Sequence, residues 1–292
     1  MKTIEAIDEW CEWMEHGENK SPHTIRNYRS QVNKFVPHLP NVEDFTIDRV
    51  RGILAMRDTT AATTAICVSS VRNFAKFCER QGWSDGGNLH RLMAPTPPKH
   101  LPEVFEGREA EKLMETVRAD AMPTTREARD WAILELLYAQ GLRVEEVCRL
   151  NLQDLSIDNL TLRVHGKGDR QRVLPIGVNQ LLPLVVWASV RRPSAPEETA
   201  LFVGEHGGRL DPREIRRAMD RATTKAGVRA LSPHALRHSC ATHMMEGGAD
   251  IRVVGEMLGH TSLDTTQRYL HVATSRLMGL YASAHPRERP AA

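Results

Sequence analysis

Apolar residues recur at helical spacing through the first hundred positions. Ile4, Ile7, Trp10, Cys11 and Met14 form one stripe, which predicts an amphipathic helix. Ser21-Pro22 reads as a helix start, because the serine oxygen can accept from orphan N–H groups and proline suits the first turn. Ile25, Tyr28, Val32 and Phe35 extend that helix. Thr46 opens a third, with Val50, Ile53 and Leu54 on one side. A fourth runs from Thr60 to Gln81, with Ile66, Val71, Phe74, Phe77 and Cys78 expected inside and Gly82 as its stop. Four such helices can close a small bundle.

The pattern then breaks. Met93 to Pro102 holds Pro95, Pro97, Pro98 and Pro102 beside Lys99 and His100, which forbids a regular helix and reads as a basic, semi-extended linker. A second domain follows. Asp130 to Gln140 carries Ile133, Leu134, Leu137 and Tyr138 on one stripe, Gly141 suits a C-terminal cap, and Val144, Val147 and Cys148 mark another helix. Leu160, Leu162 and Val164 alternate with Thr161, Arg163 and His165, which is strand periodicity. Gly166-Lys167-Gly168-Asp169 supplies turn chemistry, and Arg172 to Ile176 a return strand. The remainder, to about Ala284, reads as mostly helical, with a frayed tail from His285 to Ala292. The fold class is therefore mainly α with a small β-hairpin.

Composition narrows the class without naming an activity. The chain has 292 residues, 41% hydrophobic, and a formal net charge of +2 that neither requires nor excludes nucleic acid. No apolar run approaches the roughly 20 residues of a membrane span. The start of the chain carries Glu5, Asp8, Glu9 and Glu12, unlike a secretion signal. A cytoplasmic protein with no membrane association is the expectation. Five cysteines are scattered with no C-x-x-C pair, as expected of reduced core thiols and not of a zinc site.

Six positions in the second domain suggest chemistry: Arg143, Lys167, His234, Arg237, His260 and Tyr269. Ser232 and Pro233 should start a helix that carries His234 and Arg237 three residues apart, near a terminus that favours anions. An arginine fork adds donors suited to phosphate. A surface arginine and a capping histidine would account for the same pair. Thr261 and Asp264 resemble a capping box, with His260 just before the helix and Tyr269 in its later turns, where a core-packing aromatic would serve equally well. Lys167 sits at the hairpin tip amid Arg163, His165, Arg170 and Arg172, a basic finger able to meet a phosphate. Arg143 follows Gly141-Leu142 at a break between helices, and could be an ordinary surface arginine.

Taken together, these segments resemble the tyrosine recombinase (phage integrase) family, and most of all its Xer site-specific recombinases. The resemblance is carried by Gly141 to Val147, His165 to Arg170, Ser232 to His243, Gly248 to Val254 and Leu258 to Val272, in the family's order. Ser21-Pro22-His23-Thr24 with Tyr28 matches the family's N-terminal part more loosely. It implies a four-helix, SAM-like core-binding domain over residues 1–93, a linker over 94–103, and an α+β catalytic domain over 104–292. Tyr269 would be the nucleophile that forms a 3′-phosphotyrosyl intermediate. Arg143 and Arg237 would clamp the scissile phosphate, and Lys167 would protonate the leaving 5′ oxygen. His234 would accept the tyrosine proton, and His260 would donate a further hydrogen bond.

Such chemistry keeps the bond energy in the protein–DNA ester and calls for no metal and no organic cofactor. The expected partner is double-stranded DNA, bound by a homo- or hetero-tetramer that passes through a four-way Holliday junction. The Xer resemblance further implies chromosome or plasmid dimer resolution, a paralogous recombinase and a septal DNA translocase. The family's last helix usually docks into a neighbouring subunit. Ser275 to Ala284, with Leu277, Leu280 and Tyr281 at helical spacing, would be that helix or a helix packed on its own domain. Arg268 before the tyrosine and Leu270-His271-Val272 after it match wording found in phage and transposon integrases, so an integrase of a mobile element is one alternative. A non-cleaving DNA-binding protein and a type IB topoisomerase are the others.

Overall fold

The first stripe folds as the pattern dictates: Ile7, Trp10 and Met14 are fully buried along α1 (Thr3–His16). The computed structural model describes residues 1–96, 103–120, 124–166, 171–195 and 198–259. Two compact units divide the chain, Met1–His100 and Leu101–Ala292, each with its own core.

In the first unit, α1 joins α2 (Pro22–Asn33), α3 (Ile47–Ala55) and α4 (Ala61–Arg80). Ser21 and Thr60 start α2 and α4 by accepting from the backbone N–H of Thr24 and Thr63. The aromatic side chains interlock, with Trp10 edge-on to Phe74 and Phe74 edge-on to Phe45. Two expectations shift. Phe35 is buried, but it lies in the turns after α2 rather than on the helix. Ile66 stays 42% exposed, because Cys67, Val68 and Val71 take the inward face of α4. Gly82 ends α4 with φ at +71°, as its place after the last apolar residue suggests.

The second unit comprises α5 (Gly107–Asp120), α6 (Thr125–Ala139), α7 (Val144–Arg149), β1 (Leu155–Ser156), β2 (Thr161–His165), β3 (Gln171–Pro175), α8 (Val178–Val190), α9 (Pro212–Ala226), α10 (Pro233–Glu246) and α11 (Ile251–Leu258). Its centre is α6, buried on every side from Ala128 to Ala139 and packed against α5, α7, α8, α9 and α10. A helix so enclosed can carry charge only where it is paired. Buried Arg129 donates to Glu214 at 2.8 Å and to the Val203 carbonyl at 3.3 Å. The hairpin expected from period-two alternation is β2–β3, with Leu162 opposite Leu174 and Val164 opposite Arg172. A third strand, β1, pairs antiparallel with β2 and is too short to read from alternation. No helix among the described residues is long and apolar enough to cross a membrane.

Candidate active site

Helix α6 ends at a left-handed turn. Gly141 has φ at +58°, and a Cβ there would be driven into the Leu258 side chain and sit 3.4 Å from Cys240 Sγ. Only glycine fits such a backbone against so close a neighbour. The turn sends the chain into α7 and brings Arg143 to its start. The Glu146 carboxylate reaches back to accept from the Arg143 backbone N–H at 2.8 Å and from Arg143 Nη1 at 2.9 Å.

Arg237 comes to the same place from α10. Pro233 occupies the helix's first position as the sequence suggests, but the Ser232 side chain caps nothing. The inward face of α10 carries Leu236, Arg237, Cys240 and Met244, so Arg237 is buried with its neighbours. Its guanidinium donates to the Gly141 carbonyl and, at 2.6 Å, to the Leu258 carbonyl at the end of α11. Glu146 Oε2 lies 4.0 Å from Arg237 Nη1. Burial, and then the charges of Arg143 and Arg172, pull the Arg237 guanidinium down to about 10 against the opposing charge of Glu146. It stays protonated at neutral pH.

The third guanidinium belongs to Arg172 on β3. The basic-finger reading grouped it with Lys167 as a phosphate contact. The structure instead turns it inward, where Nη1 and Nη2 meet the two Glu146 oxygens at 2.9 Å each and Nε donates to the Met257 carbonyl at 2.9 Å. Its side chain is only 15% exposed. His165 also leaves the finger for Asp154, at 3.4 Å, while Arg163 remains exposed.

Glu146 is thus the centre of the cluster. Its carboxylate accepts from Arg143 N, Arg143 Nη1, Arg172 Nη1 and Arg172 Nη2, which uses its lone-pair positions fully. Burial pushes its pKa up, yet the hydrogen bonds and charge of Arg172, followed by Arg143, more than reverse that and hold it below the ordinary carboxylate range. Three arginines around one carboxylate leave two positive charges in excess. A phosphodiester carries one negative charge and gains another as an attacking oxygen adds to phosphorus. The excess therefore favours the transition state over the ground state.

Arg143 and Arg237 therefore converge. His234 lies exposed on the first turn of α10, and its side chain makes no hydrogen bond among the described residues. Lys167, His260 and Tyr269 lie outside the described residues, as do most of the linker, the Thr261–Asp264 capping box and the Ser275–Ala284 helix. Glu146 and Arg172 are functional candidates that the sequence reading did not single out.

Residues 103–276 match the phage integrase family, and residues 7–82 match the phage integrase N-terminal SAM-like domain. The chain belongs to the phage integrase family. A tyrosine recombinase XerC of Corynebacterium efficiens is 41% identical over 97% of this chain and 92% of its own. The crystal structure of XerA recombinase superposes with a TM-score of 0.50 at 29% identity, covering 99% of this chain and all of that one. A post-cleavage complex of XerH recombinase with a palindromic difH substrate shares the fold, with a TM-score of 0.69 at 21% identity over 94% of this chain and 82% of that one. The protein is accordingly a site-specific tyrosine recombinase of Xer type, an enzyme that works through a tyrosine nucleophile.

Proposed function

We propose that this recombinase cuts and rejoins double-stranded DNA through Tyr269, with Arg143 and Arg237 as the phosphate clamp. The convergence of those two guanidiniums, with Arg172, on buried Glu146 supports the reading most directly, because three cations around one carboxylate leave two positive charges for a phosphodiester. An ordinary tyrosine has a pKa of about 10, so its hydroxyl needs a proton acceptor, which we assign to His234, exposed on the first turn of α10. Lys167 is the donor for the 5′ oxygen as it leaves, and His260 adds a hydrogen bond to the phosphate. The 3′-phosphotyrosyl bond stores the energy of the broken one, so a 5′ hydroxyl of the partner strand can reverse the attack and reseal the DNA.

The similarity to XerC proteins along nearly the whole chain favours resolution of chromosome or plasmid dimers over integration of a mobile element. That role implies a tetramer on paired DNA sites, a Holliday junction intermediate and a cytoplasmic location. A paralogous recombinase and a septal DNA translocase are the further partners we propose on this resemblance. Domain limits of 1–93 and 104–292, with the proline-rich linker between, complete the proposal.

Sequencing DNA recovered with the protein from cells identifies the site. A duplex of that site, nicked beside the cleavage point, should then trap a covalent adduct, because the short released strand diffuses away. Tyr269→Phe should bind the duplex with unchanged affinity and trap nothing. Adduct formation by Tyr269→Phe would remove that residue as nucleophile.

A further inference from the structure

We propose that Arg172 is a positioning residue for strand cleavage, holding Glu146 and the end of α11 in the one arrangement that lets Arg143 and Arg237 face the phosphate. The inference deepens the proposed site and rests on its assignment of the clamp.

Three connections meet at this guanidinium. It engages both oxygens of Glu146, the carboxylate that also holds the Arg143 backbone and side chain. Through Nε it holds the Met257 carbonyl, while Arg237 holds the neighbouring Leu258 carbonyl. Both arginines therefore dock the same helix end. Gly259 follows with φ at +67°, and a Cβ there would stand 3.2 Å from Arg172 Nη1. The glycine thus lets the backbone lie against the guanidinium. Arg172 is also the second residue of the return strand β3, five positions after Lys167, and His260 directly follows Gly259 in the chain.

The planar fork matters as much as the charge. A carboxylate bound through both oxygens has one orientation, whereas a lysine ammonium would bind it as a point. With Arg172 satisfying Glu146, the charges of Arg143 and Arg237 are not consumed by the acid. Without Arg172, Glu146 would draw both clamp arginines towards itself and away from the phosphate position. Arg172 itself touches no reacting atom in this account.

The test uses the full-length protein, Arg172→Lys and Arg172→Ala, on the nicked duplex described above, in two forms. One form carries the normal phosphate at the cleavage point, and the other a methylphosphonate, which has one charge fewer for the clamp to neutralise. Both variants should bind DNA within about threefold of the parent and cleave the phosphate on the order of 10–100-fold more slowly, the scale of a small misalignment. On the methylphosphonate their defect should shrink to about threefold or less, because less clamp charge is needed. Equal defects on both substrates, with a lowered melting temperature, would mean a purely structural role and overturn the proposal. Parent-like cleavage by Arg172→Lys would overturn the requirement for the fork. If the parent protein itself trapped no adduct, the clamp assignment would fall, and this proposal with it.

Discussion

Replacing Gly141 by alanine perturbs the site through two separable costs. Gly141 sits at φ +58°, and an L-residue held there costs about 1–2 kcal/mol. The added methyl also collides with Leu258, and its next neighbour is Cys240 Sγ at 3.4 Å. Leu258 is 3% exposed and Cys240 fully buried, so neither can yield towards solvent. Overpacking of that kind costs about 1–3 kcal/mol. The sum, about 2–5 kcal/mol, should lower the melting temperature on the order of 10 °C for a unit of this size.

The second consequence is local. Arg237 donates to the carbonyls of both Gly141 and Leu258, so a collision that pushes these two residues apart disturbs both acceptors of the proposed clamp residue. Single-turnover cleavage, measured where parent and variant are both fully folded, should therefore fall as well. Leu258→Ala removes the obstacle, and in its background Gly141→Ala should cost less by about 1 kcal/mol or more. Additive costs in the double variant would refute the steric argument. Parent-like melting and cleavage by Gly141→Ala alone would refute the claim that this turn holds the clamp.

Arg143→Ala and Arg237→Ala should each slow single-turnover cleavage by about 10²–10³-fold, and near-normal cleavage by either would exclude it from the clamp. Lys167→Ala should be partly rescued by a substrate with a 5′-thiolate leaving group, which needs no proton, and an absence of rescue would count against the general-acid role. Glu146→Gln should destabilise the fold by about 3–5 kcal/mol at neutral pH by leaving Arg172 without its counter-charge. Because the Glu146 carboxyl is held below its ordinary 4.5 in the folded state, its contribution is complete above that pH and is lost as pH falls through the folded value. The stability gap between parent and Glu146→Gln in urea unfolding should thus stay constant from pH 6 to 8 and narrow below pH 4.5. A gap that widens on acidification would contradict this assignment.

Local periodicity made most of the helices legible, because a stripe such as Ile7, Trp10 and Met14 needs no knowledge of what it packs against. The same reasoning failed for Ile66, whose apolar character says nothing about which of several adjacent apolar residues faces inward. At the site, motifs in the sequence pointed to Arg143 and Arg237, which the structure brings to the same carboxylate, but not to Glu146 or Arg172, for two different reasons. Glu146 looks like an ordinary first-turn acid three residues after Arg143, and its buried role depends on a partner 26 positions further on. No local pattern encodes that pairing. Arg172 did carry a signal. In a strand it shares a face with Leu174, which is buried, and it stands opposite Val164, also buried. Period-two alternation therefore points its side chain inward, away from the finger that its basic neighbours suggest. An arginine aimed into a core demands a buried acid, and among the described residues Glu146 meets that demand through both of its oxygens. The pleat of a short hairpin is thus what couples the strand after Lys167 to the carboxylate that Arg143 and Arg237, the proposed clamp, share.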